Sequence, residues 1–248
     1  MKQKPIIIWW GVDTSEKGCE EGIRAEEPIP ILKKFLVEYA GKDNDTKALS
    51  YCPALLNEVQ NVYGVKPYYD YSINVDSKGY VSTDDYDQKF YDTHIHVRSD
   101  RLISFRTNHI FFAPYEKSLL FSQTNPFFED NDMSNNALLI PGQFDIAKYF
   151  RSVDCAFIVK KSKSTMKFLR NEICFYIRFH TTRPIIFKQF FWDKKINDYY
   201  HPMMAVKNHK YSSNPKDQIL SYYYKLFHKF QFKKKLIKII ENNLTKNS

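Results

Sequence analysis

Short apolar runs separated by turn residues dominate the chain from Tyr68 to about residue 190. The runs are rich in Val, Ile, Tyr, Phe and Thr, and turn sequences such as Asp76-Ser77-Lys78-Gly79 separate them, which is the pattern of strands joined as hairpins. The strands predicted in this way cover residues 69–75, 94–97, 102–105, 110–112, 118–121, 137–140, 156–159, 173–179 and 184–190. Because no helical pattern alternates with them, they predict a mainly β fold, which is a sandwich, a barrel or a related architecture.

Two other segments have helical periodicity. Apolar residues recur at helical spacing from Ile31 to Tyr39, and Gly41 follows where such a helix would stop. Residues 216–243 place apolar side chains on one face and lysines around it, which predicts a basic amphipathic helix near the C-terminus. The chain is therefore predicted to have three parts: an irregular N-terminal arm with one short helix over 1–67, a β-rich core over 68–200, and a linker with the basic helix over 201–248.

The charge of the chain is unevenly distributed, and this distribution says more about its partners than the net charge of +9 does. Residues 1–100 carry 12 Lys and Arg against 17 Asp and Glu, whereas residues 101–248 carry 25 against 11. Such a basic portion favours an acidic partner, which could be nucleic acid, an anionic surface or the chain's own N-terminal half. A lysine-rich face that is simply solvated is the alternative that stays open.

The cysteines and the N-terminus bear on the compartment. Cys19, Cys52, Cys155 and Cys174 are scattered, without the paired spacing of a structural zinc site, so reduced thiols are expected. The first residues form no apolar signal region, and the longest early apolar run is too short to span a membrane. We therefore expect no secretion through a signal peptide and no membrane partner.

Two histidines form the sharpest local pattern. His94 and His96 alternate on a predicted strand, so that both imidazoles would face one side and could begin a cupin-type metal site. Further ligands would have to come from Asp100, His109 or His180. Cupin-type patterns also have a Glu shortly after the H-x-H pair, and none follows here. The prediction is that no metal is bound and no cofactor is needed, with a cupin-like metal-dependent oxygenase kept as an alternative.

Common catalytic motifs do not occur in the sequence. There is no G-x-S-x-G nucleophile turn, no G-x-x-x-x-G-K-[ST] phosphate loop and no G-x-G-x-x-G dinucleotide motif in a chain with 7 Gly. Whether the protein is an enzyme stays open, but this pattern favours a protein that is not one.

Several short motifs in the middle of the chain carry a resemblance. They are Cys52-Pro53-Ala54, Asn125-Pro126-Phe127, the segment Ile-Pro-Gly-Gln-Phe-Asp at 140–145 and the segment Tyr-Ile-Arg-Phe-His-Thr at 176–181. With them, residues 106–190 resemble uncharacterised proteins of tailed bacteriophages, especially T4-like marine ones. The resemblance implies a viral protein of the host cytoplasm or the virion, with other virion proteins or nucleic acid as partners, and it leaves oligomer formation open.

A second resemblance lies within the same stretch. Gly142, Asp145, Tyr149 and Arg151, followed by apolar strands, are similar to the β-clip motif of dUTPase-like proteins, in which a Gly and an Asp lie where the deoxynucleoside is bound. This resemblance implies a β-clip-like core and a nucleotide-handling enzyme as another alternative. The chain departs from the pattern, because it has no second Gly-rich motif and no serine-bearing phosphate loop. The resemblance therefore implies a fold for this chain but not the dUTPase activity.

The basic helix provides the candidate binding residues of the leading hypothesis. Its lysines could contact a polyanion such as nucleic acid, or they could be solvated while the helix packs on the sheet. The candidate lysines are Lys225, Lys229, Lys233, Lys234, Lys235 and Lys238. Together with the phage resemblance, which implies the setting, the absence of catalytic motifs predicts a phage-encoded, non-enzymatic structural or binding protein that acts in the virion or in the infected cell.

Overall fold

Strand-forming residues pair over long sequence distances to form most of the regular structure. The computed structural model describes residues 3–15, 24–39, 51–76, 81–82, 94–99, 101–160, 164–208 and 231–245. Its strands are β1 Ile6–Val12, β2 Ile29–Pro30, β3 Val62–Val65, β4 Tyr71–Val75, β5 Val81–Ser82, β6 Ile95–Ser99, β7 Leu102–Phe112, β8 Leu120–Thr124, β9 Ala137–Leu139, β10 Gln143–Asp145, β11 Ser152–Val159, β12 Ser164–Phe168, β13 Phe175–Phe179 and β14 Ile185–Gln189. Its helices are α1 Ile31–Tyr39, α2 Pro53–Val59, α3 Asp132–Asn136, α4 Asn197–Asn208 and α5 Phe232–Glu241, with a 3-10 turn at Lys194–Ile196.

The strands form three sheets. The largest has the order β14-β1-β7-β11-β9, with β6 also paired to β7, and the second has the order β10-β8-β13-β3-β2. The third has the order β12-β4-β5. Strand β7 is the centre of the largest sheet: β11 pairs along one edge, while β1 and β6 share the other. The parallel pair β1 and β14 brings residues 6 to 10 beside residues 185 to 189, so that strands far apart in the sequence are neighbours in the sheet.

Alternating side chains divide the core into layers. Trp10 of β1 packs in a core enclosed by the three sheets, whereas Trp9 points the other way, into a second core formed with α4 and α5. A third core, which contains Ile31 of α1, Val59 of α2 and Tyr176 of β13, covers the outer face of the second sheet. The order across the molecule is therefore helices, sheet, sheet, helices, and the predicted mainly β fold is confirmed in a sandwich-like form.

The helix predicted from Ile31 to Tyr39 is present with those bounds. Of the helix predicted over 216–243, the structure describes α5, and residues 209–230 lie outside the described part of the chain. The two strands predicted over 102–105 and 110–112 are one strand, β7, because the polar residues between them form a buried bulge rather than a turn.

Two regions that the sequence predicts as irregular contain regular elements. Strand β3, from the predicted arm over 1–67, is an interior strand of the second sheet, whereas β1 corresponds to a short apolar strand that the sequence predicts to end at Trp9 and Trp10. Helix α2 also lies in that arm, with Pro53 in its first turn, where proline costs no hydrogen bond. Helix α4 occupies part of the predicted linker, because Tyr200, Met203 and Met204 pack against the largest sheet.

Candidate polyanion-binding surface

Helix α5 is fixed to the molecule through its apolar face. Leu236 and Ile240 are fully buried in the core that also contains Trp9 and Phe112. Beyond the end of the helix, a backbone bridge joins Leu244 to Phe190. Because both the helix and the segment after it are held, the opposite face has a defined position on the surface.

Lys233 takes part in this docking. Its Nζ donates to the carbonyl oxygens of Glu116, at 2.9 Å, and Ala147, at 2.8 Å, and lies 5.6 Å from the centre of the Phe112 ring. Burial lowers the pKa of Lys233, although the negative charges of Asp145 and Glu116 act in the opposite direction. The ammonium group is thus directed into the protein, and Lys233 serves to dock the helix.

The exposed side of α5 carries three lysines. Lys234, Lys235 and Lys238 are exposed, and their spacing of one, three and four residues places them together on a helix surface. Lys194 and Lys195, in the 3-10 turn that packs against α5, are exposed as well. We call these five residues the lysine face.

Two of the three acidic residues near the lysine face accept hydrogen bonds from the chain, and the third lies in the first turn of a helix. Asp193 accepts a hydrogen bond from the backbone N–H of Lys195 at 2.7 Å, which caps the 3-10 turn. Glu241 accepts a hydrogen bond from the hydroxyl of Tyr115 at 2.9 Å. Asp198 is exposed in the first turn of α4, where a negative charge suits the helix dipole. Five lysines against three acids leave this surface with net positive charge.

The six lysines predicted from the sequence therefore divide into groups. Lys234, Lys235 and Lys238 are on the lysine face, Lys233 is not, and Lys225 and Lys229 lie outside the described residues. Sequence reasoning missed Lys194 and Lys195, which join the surface only because the turn packs against α5. The signal that could have found them is the Lys-Lys pair that follows the aromatic run Phe190-Phe191-Trp192 after a single residue, Asp193.

Asp145, the residue predicted from the β-clip resemblance, organises a turn of its own chain. Its carboxylate accepts hydrogen bonds from the Ser118 hydroxyl and from the backbone N–H groups of Leu119 and Ala147, and it pairs with Lys148 at 2.8 Å. Burial would raise the pKa of Asp145, but these bonds outweigh burial and lower it. Both oxygens thus already have partners in the protein.

The other three residues of that predicted site lie near Asp145 but do not form a cradle with it. Tyr149 and Arg151 both approach the ring of Phe144, at 6.3 Å between ring centres for Tyr149 and 5.4 Å from the guanidinium carbon for Arg151. A Cβ atom at Gly142 would meet only the side chain of Gln123, at 3.9 Å. No close approach therefore requires glycine at this position.

The predicted metal-site histidines have separate surroundings. His94 is buried, with its Nε2 3.2 Å from Nδ2 of Asn108, whereas His96 is half-buried on β6. His180 is exposed on the second sheet, where its Nε2 lies 2.9 Å from the hydroxyl of Ser122. Asp100 lies outside the described residues.

His109 lies in the β7 bulge, where burial lowers its pKa to about 4. In the described part of the chain, no three His, Cys, Asp or Glu side chains come together in a way that could hold a metal ion.

No helix in the described ranges is long and apolar enough to cross a membrane.

Comparisons with known proteins find no match. The chain matches no protein-family model, no curated protein and no solved structure.

Proposed function

We propose that the protein is a non-enzymatic binding protein that contacts nucleic acid through the lysine face. The observation that carries the proposal is that Lys234, Lys235 and Lys238 are exposed on a helix whose apolar side is buried, and that the turn with Lys194 and Lys195 packs against this helix. Ammonium groups carried by elements that are held in place can replace the counterions of a phosphate backbone, and the release of those counterions supplies binding free energy. The basic character of residues 101–248 supports the same partner.

The setting of this binding follows the phage resemblance of residues 106–190. That resemblance would place the protein in the infected cell or in the virion, where nucleic acid is an abundant partner. Among the described residues neither alternative has an equivalent supporting observation: the Asp145 carboxylate is engaged by its own chain, and Nε2 of the buried His94 lies 3.2 Å from the amide nitrogen of Asn108. We therefore propose binding rather than nucleotide hydrolysis or oxygenation.

The experiment is a titration of labelled single-stranded oligonucleotide, followed by fluorescence anisotropy at several salt concentrations. If all five lysines contact phosphates, the logarithm of the association constant should fall with the logarithm of salt concentration with a slope of about −3.5. The variant Lys234→Gln/Lys235→Gln/Lys238→Gln should bind much more weakly, with a slope closer to zero by about 2. Lys233 is left unchanged because it docks the helix.

A matched control removes the same charge elsewhere. Arg24, Lys33 and Lys167 are exposed and lie outside α4, α5 and the turn between them, so the change of all three to Gln should leave most of the affinity intact. Equal losses in the two triple variants would mean that net charge alone attracts the strand. Full binding by the α5 variant would contradict the proposal.

A further inference from the structure

Exposed aromatic rings border the lysine face. Tyr115, Phe191 and Phe232 leave 57%, 43% and 41% of their surface exposed, although aromatic side chains usually gain free energy when buried. Phe232 begins α5, three residues before Lys235, so the two side chains are neighbours on the helix. Tyr115 contacts the far end of α5 through its hydrogen bond to Glu241. The rings and the lysines thus belong to one surface.

The third ring lies beside the last turn of α5. The backbone N–H of Phe191 donates to the carbonyl oxygen of Asn243 at 3.0 Å, and the Asn243 side chain reaches Asp193 at 3.4 Å. Phe191 is therefore placed between the end of α5 and the 3-10 turn that carries Lys194 and Lys195. The exposed ring of Phe232 is therefore on the helix of the first group of lysines, and that of Phe191 precedes the second group by three residues.

Two of the rings are held in place by edge-on contacts. The Tyr115 ring meets Trp9 at 5.6 Å between centres and an angle of 79°. The Phe232 ring meets Tyr199 at 5.9 Å and an angle of 86°. Such contacts favour one orientation of a ring, while part of its surface still faces solvent. Partly exposed rings among positive charges are suited to stack on unpaired bases.

We propose that the ligand of this surface is single-stranded nucleic acid, with bases stacked on Phe191, Phe232 and Tyr115 and phosphates on the lysine face. This inference rests on the proposed function and specifies its partner. In a duplex the bases are already stacked on one another, so that exposed rings at the protein surface gain nothing from them, whereas every unpaired base offers a free face. Stacking also tolerates any base. A surface made of charged groups and aromatic rings should therefore bind single strands with little sequence preference.

The test compares a short oligothymidine strand with a hairpin duplex of equal charge, both labelled and titrated at the same salt concentration. The intact protein should bind the single strand at least tenfold more tightly. In the variant Phe191→Leu/Phe232→Leu, the affinity for the single strand should fall on the order of tenfold to a hundredfold, because stacking on each ring is lost. The affinity for the duplex should stay the same.

Phe127→Leu provides the matched control, because Phe127 is 48% exposed but contacts Phe128 and Tyr176 at the second sheet. The control should bind like the intact protein. Equal affinity of the intact protein for strand and duplex, lost in the α5 lysine variant but not in the phenylalanine variant, would overturn the single-strand inference and leave the proposed function standing. No binding to either would overturn both. The preference of the unaltered protein for the single strand over the duplex is measured without any substitution. This part of the test therefore holds even if a variant folds poorly.

Discussion

Residues of the β7 bulge are polar and yet buried, and bonds within the chain make this arrangement stable. Asn108 adopts a positive φ of 56°, which asparagine tolerates better than most residues. The hydroxyl of Thr107 donates to the carbonyl of Val153 at 2.6 Å, and the carbonyl of Asn108 accepts from the backbone N–H of Asp13 at 2.9 Å. Nδ1 of His109 lies 3.0 Å from the carbonyl of Thr107. The bulge thus pairs several of the polar groups that would otherwise be costly to bury.

His109 gives the bulge a pH dependence. Burial lowers its pKa from the ordinary 6.5 to about 4, against the effect of its hydrogen bond to Thr107. The unfolded chain therefore binds a proton at a higher pH than the folded chain, and the free energy of unfolding should rise as pH rises from about 4 to about 6.5. Urea unfolding at pH 7 and pH 4.5 should show a loss on the order of 2 kcal/mol at the lower pH from this residue.

His180 is the natural control for this measurement. Its pKa is also lowered, by burial and by the charge of Arg178, but the residue is exposed on the second sheet. The variant His109→Gln should lose much of the pH dependence between 4.5 and 7, whereas His180→Gln should keep most of it. A His109→Gln variant with the full pH dependence of the unaltered protein would rule out this assignment.

Sequence patterns located some functional residues of the proposed surface but not their roles. Lys234, Lys235 and Lys238 follow from the helical period, since they fall opposite the apolar positions. Lys233 has the same sequence context, and only the carbonyl groups of Glu116 and Ala147, more than 80 residues away, make it a docking residue. The neighbours of Asp145 depend on tertiary contacts in the same way.

Elements with a clear period were predicted well, and elements that depend on distant partners were not. Helix α1 has the predicted bounds because five apolar residues repeat at helical spacing within it. Strand β3 was missed because Gly64 interrupts its short apolar run, and Gly64 is acceptable there because β2 and β13 pair on both sides. Strand β7 was divided because Thr107, Asn108 and His109 resemble a turn.

Gly64 supplies a test of packing at the level of the sheet. A Cβ atom at this position would clash with the side chain of Ile173, which is buried in the core beneath α1 and α2. Gly64→Ala should therefore destabilise the protein by about 1–3 kcal/mol, as overpacking of a core does. A double-mutant cycle with Ile173→Ala, followed by urea unfolding, should show that removal of the Ile173 side chain recovers a measurable part of that cost.

Gly11 is the matched comparison, because its added Cβ would lie 2.7 Å from the backbone carbonyl oxygen of Phe190. Truncation of Phe190 removes the ring atoms at 3.0 and 3.1 Å but leaves the clash with its backbone oxygen, so Phe190→Ala should recover a smaller share of the cost of Gly11→Ala than Ile173→Ala recovers for Gly64→Ala. Additive effects for Gly64→Ala and Ile173→Ala would mean that the close approach of Ile173 to Gly64 is not a source of strain.

At the scale of the whole molecule, the layers explain where the charge lies. Strands β1 and β14 pair in parallel across about 180 residues of sequence, and this closure creates the outer sheet face on which α4 and α5 pack. No local pattern predicts such a pairing, which is why the sequence indicated a β fold but not the order of its layers. With both helices packed by their apolar sides, Lys194, Lys195, Lys234, Lys235 and Lys238 are exposed, while Lys233 is directed inward.

The central claim is that the lysine face contacts nucleic acid. Its most direct test is acetylation of the lysines in the presence and absence of a short oligothymidine strand. Mass spectrometry then quantifies the acetylation at each lysine. Lys194, Lys195, Lys234, Lys235 and Lys238 should be acetylated several-fold more slowly when the strand is bound, because phosphates cover their ammonium groups. Lys33 on α1 and Lys167 on β12 are exposed and should react at the same rate in both samples. Unchanged rates at the five lysines under conditions in which the strand binds would contradict the claim.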